Sequence, residues 1–135
     1  MPYGDRDTVD RLLGMDTWAV VGLSNDPSRA AWGVAAFLQR LGKRVVPVHP
    51  SAPTVHGEQG YARLADVPFD VDVVDLFVRS SLAGPVVDEA VEKGAKGVWL
   101  QLGVVDREAA ARAEAAGLDV VMDRCPKLEW PPRAA

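Results

Sequence analysis

Two hydrophobic periods run along the chain. Residues 18–21 (WAVV), 45–48 (VVPV), 72–78 (DVVDLFV), 97–102 (GVWLQL) and 118–122 (LDVVM) are short, nearly unbroken apolar runs. Such runs predict strands, and their lack of alternation predicts strands covered on both faces. Between most of them the apolar positions recur every three or four residues, which predicts amphipathic helices. Residues 5–14 place Val9, Leu12 and Leu13 on one face and end at Gly14. Residues 30–41 align Ala30, Val34, Phe37, Leu38 and Leu41 and stop at Gly42. Residues 82–93 follow Ser80-Ser81, a predicted N-cap pair, and end at Gly94, while alanine-rich 106–116 has Asp106 as its predicted N-cap and Gly117 as its stop. Residues 51–60 are turn chemistry, and 61–66 predict a short helical turn closed by Pro68.

Strand and helix alternating in this way predict a single-domain, Rossmann-like α/β fold: a doubly wound, parallel, five-stranded sheet with helices on both faces. Ligands of such sheets bind beyond the carboxyl ends of the strands, where the strand order reverses. The loops 22–29, 49–53, 78–81 and 103–105 are therefore expected to converge on one crevice. Residues 17–33, TWAVVGLSNDPSRAAWG, read as strand, glycine turn, polar loop and helix start. The free N–H groups and positive dipole end of a helix entered in this way attract phosphate. Ser24 adds a hydroxyl donor, and Arg29 adds a fixed charge with a bidentate fork. A dinucleotide-binding fold of the NAD type carries G-x-G-x-x-G at this turn and an acid at the end of the second strand to hold the ribose. Here the turn reads Gly22-Leu23-Ser24-Asn25-Asp26-Pro27 and the second strand ends in Val48-His49-Pro50, so the acid is absent. The pattern fits a highly phosphorylated nucleotide, with NADP left open because His49 could meet a 2′-phosphate.

Composition narrows the classes further. The 135 residues are 48% hydrophobic and 25% charged with a net charge of −4, and no basic run is interleaved with aromatics, so no nucleic-acid partner is expected. No apolar stretch approaches the roughly 20 residues of a membrane span, and the acidic, polar start does not resemble a signal peptide. A cytoplasmic location is the expectation. Cys125 is the single cysteine, and His49 and His56 have no carboxylate or cysteine spaced to complete a metal site. Residues 131–135 are expected to form a mobile tail.

The motifs Gly22-x-Ser24-x-x-Pro27-x-Arg29, His49-Pro50, DVVDLFVRSS ending at Ser81, Trp99-Leu100-Gln101-Leu102-Gly103 and Val121-Met122-Asp123-Arg124-Cys125-Pro126 occur in this order. In this the chain closely resembles the small stand-alone CoA-binding proteins, whose fold is similar to the CoA-binding domain of the succinyl-CoA synthetase α subunit. The resemblance covers residues 5 to 130. It implies coenzyme A, or an acyl-CoA, as the small-molecule ligand, with Gly22 and Ser24 against the pyrophosphate and Arg29 at a phosphate. It places His49 and Pro50 beside the adenosine, where the family more often has Asn-Pro. Val78 and Arg79 fall at the end of the third strand, where Arg79 matches a basic residue but Ser80 and Ser81 replace the family's frequent Pro-Glu. Gln101 and Gly103 lie along the pantetheine arm. Synthetases of this type use a phosphorylated histidine in a further domain, so the resemblance carries binding and not the ligase reaction.

No G-x-S-x-G elbow, P-loop lysine or pair of carboxylates spaced for acid–base work is present, so the residues point to no catalytic constellation. Asp75, inside an apolar strand, is expected to be hydrogen-bonded to neighbouring backbone or to lie near the site. Asp123 is expected to cap or to pair with Arg124. Cys125 reads as a buried thiol, His56 as a loop residue without a ligand, Trp18, Trp32 and Trp99 as core or crevice-lining aromatics, and Trp130 as an anchor for the tail. Three functions are consistent with these readings: a non-catalytic CoA-binding module, an NAD(P)-dependent oxidoreductase, and a protein with a vestigial pocket that works by forming a homo-oligomer or docking to a partner.

Overall fold

The structure is a computed structural model, and it describes residues 3–132. Helix α1, Arg6–Leu13, starts at Asp5, whose carboxylate accepts from the Thr8 backbone N–H at 3.0 Å and from the Thr8 hydroxyl at 3.1 Å. It buries Val9, Leu12 and Leu13, the predicted face. The remaining elements are β1 (Thr17–Val21), α2 (Ala30–Arg40), β2 (Arg44–Val48), β3 (Val73–Leu76), α3 (Ser80–Lys93), β4 (Gly97–Leu100), α4 (Arg107–Ala115), β5 (Asp119–Val121) and α5 (Pro126–Glu129). A 3-10 turn, Leu64–Asp66, lies between β2 and β3.

All five strands are parallel, in the order β2-β1-β3-β4-β5. The register aligns Val20 of β1 with Asp75 of β3, and Asp75 with Trp99 of β4. Because side chains alternate across a strand, each strand feeds two cores. Trp18, Val20, Val45, Val73, Trp99 and Val121 pack with the buried faces of α1 and α2 and with Cys125 at the start of α5. Ala19, Val46, Val48, Val74, Leu76, Val98 and Leu100 pack with Leu64 of the 3-10 turn and with α3 and α4. The second core is built largely on small residues: Ala83, Ala90, Ala109, Ala110 and Ala113 let both helices approach the sheet closely. Asp106 caps α4 by accepting from the Ala109 N–H at 3.0 Å, as its position predicts.

Several boundaries differ from the expectation. Strands β3 and β4 end two residues early, at Leu76 and Leu100, because the chain leaves the ladder toward the crevice while Phe77, Val78 and Leu102 prolong the apolar runs. In α2 the buried stripe is Ala31, Val34, Ala35 and Leu38; Ala30 is exposed, so the stripe is rotated by one position from that predicted. Tyr61 is not helical: its N–H donates to the Pro47 carbonyl and its carbonyl accepts from the His49 N–H, both at 3.0 Å, adding a one-residue rung outside β2. Residues 126–129, for which the sequence pattern predicts no element, form α5, and Trp130 packs half-buried against the core as predicted. The expected mobile end falls in large part on residues 133–135, which lie outside the described residues.

Candidate functional site

The strand order reverses between β1 and β3, so β2 leaves to one side of β1 and β3, β4 and β5 to the other. The crevice predicted at the carboxyl ends of the strands therefore centres on Gly22. This glycine has φ +96°, and its N–H donates to the Val48 carbonyl at 2.8 Å, extending the β1–β2 ladder by one rung. A β-carbon here would collide with the carbonyl oxygen of Phe77, where β3 leaves the sheet. Only glycine lets the first loop turn this tightly against the third strand's exit.

Beyond Gly22 the loop is held by its own polar side chains. The Asp26 carboxylate accepts from the Ser28 backbone N–H at 2.9 Å and from the Ser28 hydroxyl at 2.6 Å, and these bonds hold its pKa below the ordinary value. Ser24 Oγ, by contrast, has only a long 3.4 Å contact from the Asp26 N–H and remains available. Asn25 Nδ2 donates to the Thr54 carbonyl at 2.6 Å, tying this loop to the one after β2. Arg29 is the N-cap residue of α2, and no side chain caps the helix. Its guanidinium, 76% exposed, lies 3.8 Å from the Asp26 carboxylate, a loose pair over the open start of α2.

The other predicted residues surround this loop. At the end of β2, Ser51 presents its backbone N–H at 3.2 Å and its hydroxyl at 2.9 Å to His49 Nδ1, which leaves Nε2 as the free ring nitrogen; Pro50 beside it is exposed. Ser80-Ser81 is not an N-cap pair, because α3 begins at Ser80 and its N-cap is Arg79, with no side-chain cap bond. Arg79 is exposed and has no ion-pair partner among the described residues. Val78 is half-buried and packs against the core beneath α3. Gly103, φ +81°, is fixed at both its polar atoms: its N–H donates to Asp123 Oδ1 at 2.7 Å and its carbonyl accepts from Ser80 Oγ at 3.2 Å. Ser80 Oγ also accepts from the Val105 N–H at 2.9 Å, so the exits of β3, β4 and β5 are stitched together. The stitching roles of Ser80, Asp123 and Asn25 have no local signal in the sequence, since each partner is at least 20 residues away.

The residues read as structural divide in two. His56 Nε2 meets the Trp32 carbonyl at 2.8 Å, the two rings lie 4.6 Å apart, and the pair fixes the loop after β2 on α2. Cys125 is buried, as expected, and Trp18 and Trp99 are wholly inside. Asp123 bonds Gly103, while Arg124 lies 3.9 Å from Glu129 instead. Asp75 corrects the expectation of a backbone hydrogen bond: it is fully buried, and neither carboxylate oxygen has a hydrogen-bond partner. Burial pushes its pKa well above the ordinary carboxylate range. Gln101 Oε1, at the exit of β4, is also buried without a partner. No group of three or more metal-ligating side chains occurs among the described residues, and no helix among them is long and apolar enough to cross a membrane.

The sequence matches the CoA binding domain family over residues 16–131, which takes in all five strands and every loop of the crevice. The chain belongs to the CoA-binding domain family. Among its relatives, the "uncharacterized protein YneT" of Bacillus subtilis is 34% identical over 110 residues, 82% of either chain. A hypothetical protein from Pyrococcus horikoshii superposes with a TM-score of 0.86 at 39% identity, over 91% of this chain and 87% of that one. The alpha subunit of the ADP-forming acetate–CoA ligase II of Pyrococcus furiosus is 33% identical over 81 residues, 59% of this chain but only 18% of that subunit.

Proposed function

We propose that the crevice binds coenzyme A and that the chain acts as a binding module without chemistry of its own. The observation that carries this reading is the opening of α2: an uncapped helix start behind the Gly22 turn, flanked by the exposed guanidinium of Arg29. Gly22 brings backbone N–H groups within reach of a pyrophosphate, Ser24 supplies a hydroxyl, and Arg29 pairs with a phosphate by swinging off Asp26. His49 and Pro50 border the adenosine over β2, and Arg79 meets a further phosphate or the ribose side from the β3 exit. The arm of the ligand then runs across β3 to Gly103. Family membership supports the same ligand.

The non-catalytic reading rests on the side chains that line the crevice. Cys125, the obvious nucleophile, does not line it: it is buried among apolar residues, where a structural thiol is shielded from reaction. The test is calorimetric titration of the purified protein with CoA and with NAD. CoA is expected to bind at least about tenfold more tightly, because no carboxylate ends β2 to hold an NAD ribose. Equal or reversed affinities would overturn the reading in favour of a nicotinamide cofactor.

A further inference from the structure

Strand β2 lies at the edge of the sheet and pairs along its length only with β1. The Arg44 N–H donates to the Asp16 carbonyl and the Val48 carbonyl accepts from the Gly22 N–H, so residues 44, 46 and 48 aim their backbone polar groups at β1. Val45, Pro47 and His49 therefore aim theirs outward. Tyr61 takes up the Pro47 carbonyl and the His49 N–H, and Pro47 has no N–H of its own. The outward N–H and C=O of Val45 are left without a backbone partner among the described residues, although Val45 is only 2% exposed. A buried backbone pair of this kind is costly unless a ligand or ordered water meets it. A cavity of about 170 Å³ lies at this position, lined by Val45 together with Arg44, Glu58, Tyr61 and Phe69. The Tyr61 rung opposite Val48 runs parallel to β2, so three residues back on each chain Glu58 comes level with Val45. The Arg44 guanidinium lies over the Phe69 ring, 3.6 Å from its centroid, which holds the fork in place without using its N–H groups. Neither Arg44 nor Glu58 has an ion-pair partner among the described residues. Two opposite charges thus line one small cavity without meeting each other.

We propose that this cavity binds a small free α-amino acid as its zwitterion. The carboxylate accepts from the Val45 N–H and the Arg44 fork, and the ammonium donates to the Val45 carbonyl and the Glu58 carboxylate. One residue that exchanges an N–H···O bond in each direction with Val45 reproduces a hydrogen-bonded pair of an antiparallel ladder. Charge and size identify the occupant. A simple carboxylate leaves Glu58 and the Val45 carbonyl unmet, and a simple amine leaves Arg44 and the Val45 N–H unmet. The volume, about that of five or six waters at roughly 30 Å³ each, suits an amino acid with a small side chain. It is well below the roughly 300–1,000 Å³ of a cavity for a nucleotide-sized ligand. An extended peptide is excluded, because the Tyr61 rung fills the edge beyond Val45 and leaves one residue's length free. The site lies outside the crevice, and the proposal does not depend on what the crevice binds.

The test is calorimetric titration of the full chain with L-alanine and L-valine, and with alaninamide and N-acetylalanine, which lack the carboxylate and the ammonium respectively. At least one of the two amino acids is expected to bind with a Kd below about 1 mM, and both blocked forms at least about tenfold more weakly. Amide hydrogen exchange read by NMR gives the location: the Val45 N–H should slow at least about tenfold when the amino acid is at saturation. Arg44→Gln and Glu58→Gln should each weaken binding at least about tenfold. Glu58→Gln keeps the shape of the side chain, so its loss of binding at an unchanged Tm is not a loss of fold. No binding of either amino acid up to about 10 mM shows that water alone fills the cavity and overturns the proposal. A blocked form that binds as tightly as L-alanine overturns the zwitterion assignment. Binding that both variants retain, or that leaves Val45 exchange unchanged, places the ligand elsewhere and overturns the site.

Discussion

Asp75 allows the buried architecture to be tested through its pH dependence. The carboxyl lies in the middle of β3 between Val20 and Trp99, fully buried, with neither oxygen hydrogen-bonded. Burial raises its pKa in the folded chain. In the unfolded chain it ionises at its ordinary value, about 3.9. Between these two values the folded state holds a proton that the unfolded state has released. Its contribution to stability is therefore fully present below the unfolded pKa, is lost as pH rises toward the folded pKa, and stays lost above it. Within that interval each pH unit removes about 1.4 kcal/mol, a large step for a protein whose total stability is about 5–15 kcal/mol. Asp75→Asn keeps the shape and removes the titration. Subtracting wild-type from variant stability cancels other carboxylates, including Asp5 and Asp26, whose lowered pKa values act with the opposite sign. The variant should gain on the wild type by about 1.4 kcal/mol per pH unit from about pH 4 upward, then level off. Asp75→Val also removes the unpaired polar atoms and places a β-branched residue in a strand. It should exceed wild type at neutral pH by about 1–3 kcal/mol, or roughly 3–10 °C in Tm. Urea unfolding followed through the buried Trp18 and Trp99 measures both. A pH-independent difference for the Asn variant, or a Val variant less stable than wild type, would show that the carboxyl has a favourable partner and refute the reasoning.

Three further outcomes follow from the crevice. Arg29→Ala should weaken CoA binding by about 1.5–3 kcal/mol with unchanged thermal stability, since the exposed guanidinium makes only a loose contact in the free protein; unaltered affinity by calorimetry would remove Arg29 from the site. Gly22→Ala should destabilise by more than about 2 kcal/mol, combining the positive φ with a collision at the Phe77 carbonyl, and denaturation at wild-type stability would show that the turn relaxes freely. Cys125→Ser should leave CoA affinity within about threefold, and native Cys125 should react slowly with a thiol reagent; fast labelling that CoA blocks would place the thiol in the ligand's path and overturn the structural reading.

The parts of the fold legible in the sequence are those with a local signal. Apolar runs marked all five strands, since a strand sandwiched between helices has no face on which polar residues can recur. Asp5 and Asp106 marked helix starts, because a cap bond reaches only three residues along the chain. Ser80 carried the same signal and misled, because the structure uses Arg79 as the cap and sends the serine hydroxyl across to the β4 loop. The stripe of α2 was misplaced by one position because its alanines are equally acceptable inside and outside, and only packing on β1 and β2 selects Ala31 and Ala35 over Ala30. Asp75 was legible as an anomaly but not as an unpartnered group, since a hydrogen bond to it depends on what the neighbouring strands present at that height.

The same distinction applies to the residues proposed to line the crevice. Gly22 and Gly103 announce themselves because backbone conformations at φ +96° and +81° select glycine at the position itself. Arg29 and His49 follow from where a strand or helix ends. The groups that set the spacing between the loops are different in kind: Asn25 to Thr54, Ser80 to Gly103 and Val105, and Asp123 to Gly103 all join segments distant in sequence. None of them needs to touch a ligand to affect its affinity. By fixing the loops after all five strands before a ligand arrives, they remove the ordering cost that flexible loops would impose on the proposed binding. A substitution at Asp123 that kept an acceptor oxygen, Asp123→Asn, should therefore preserve affinity, whereas Asp123→Ala frees the Gly103 N–H and lets the β4 loop move, lowering affinity chiefly by slowing association with CoA.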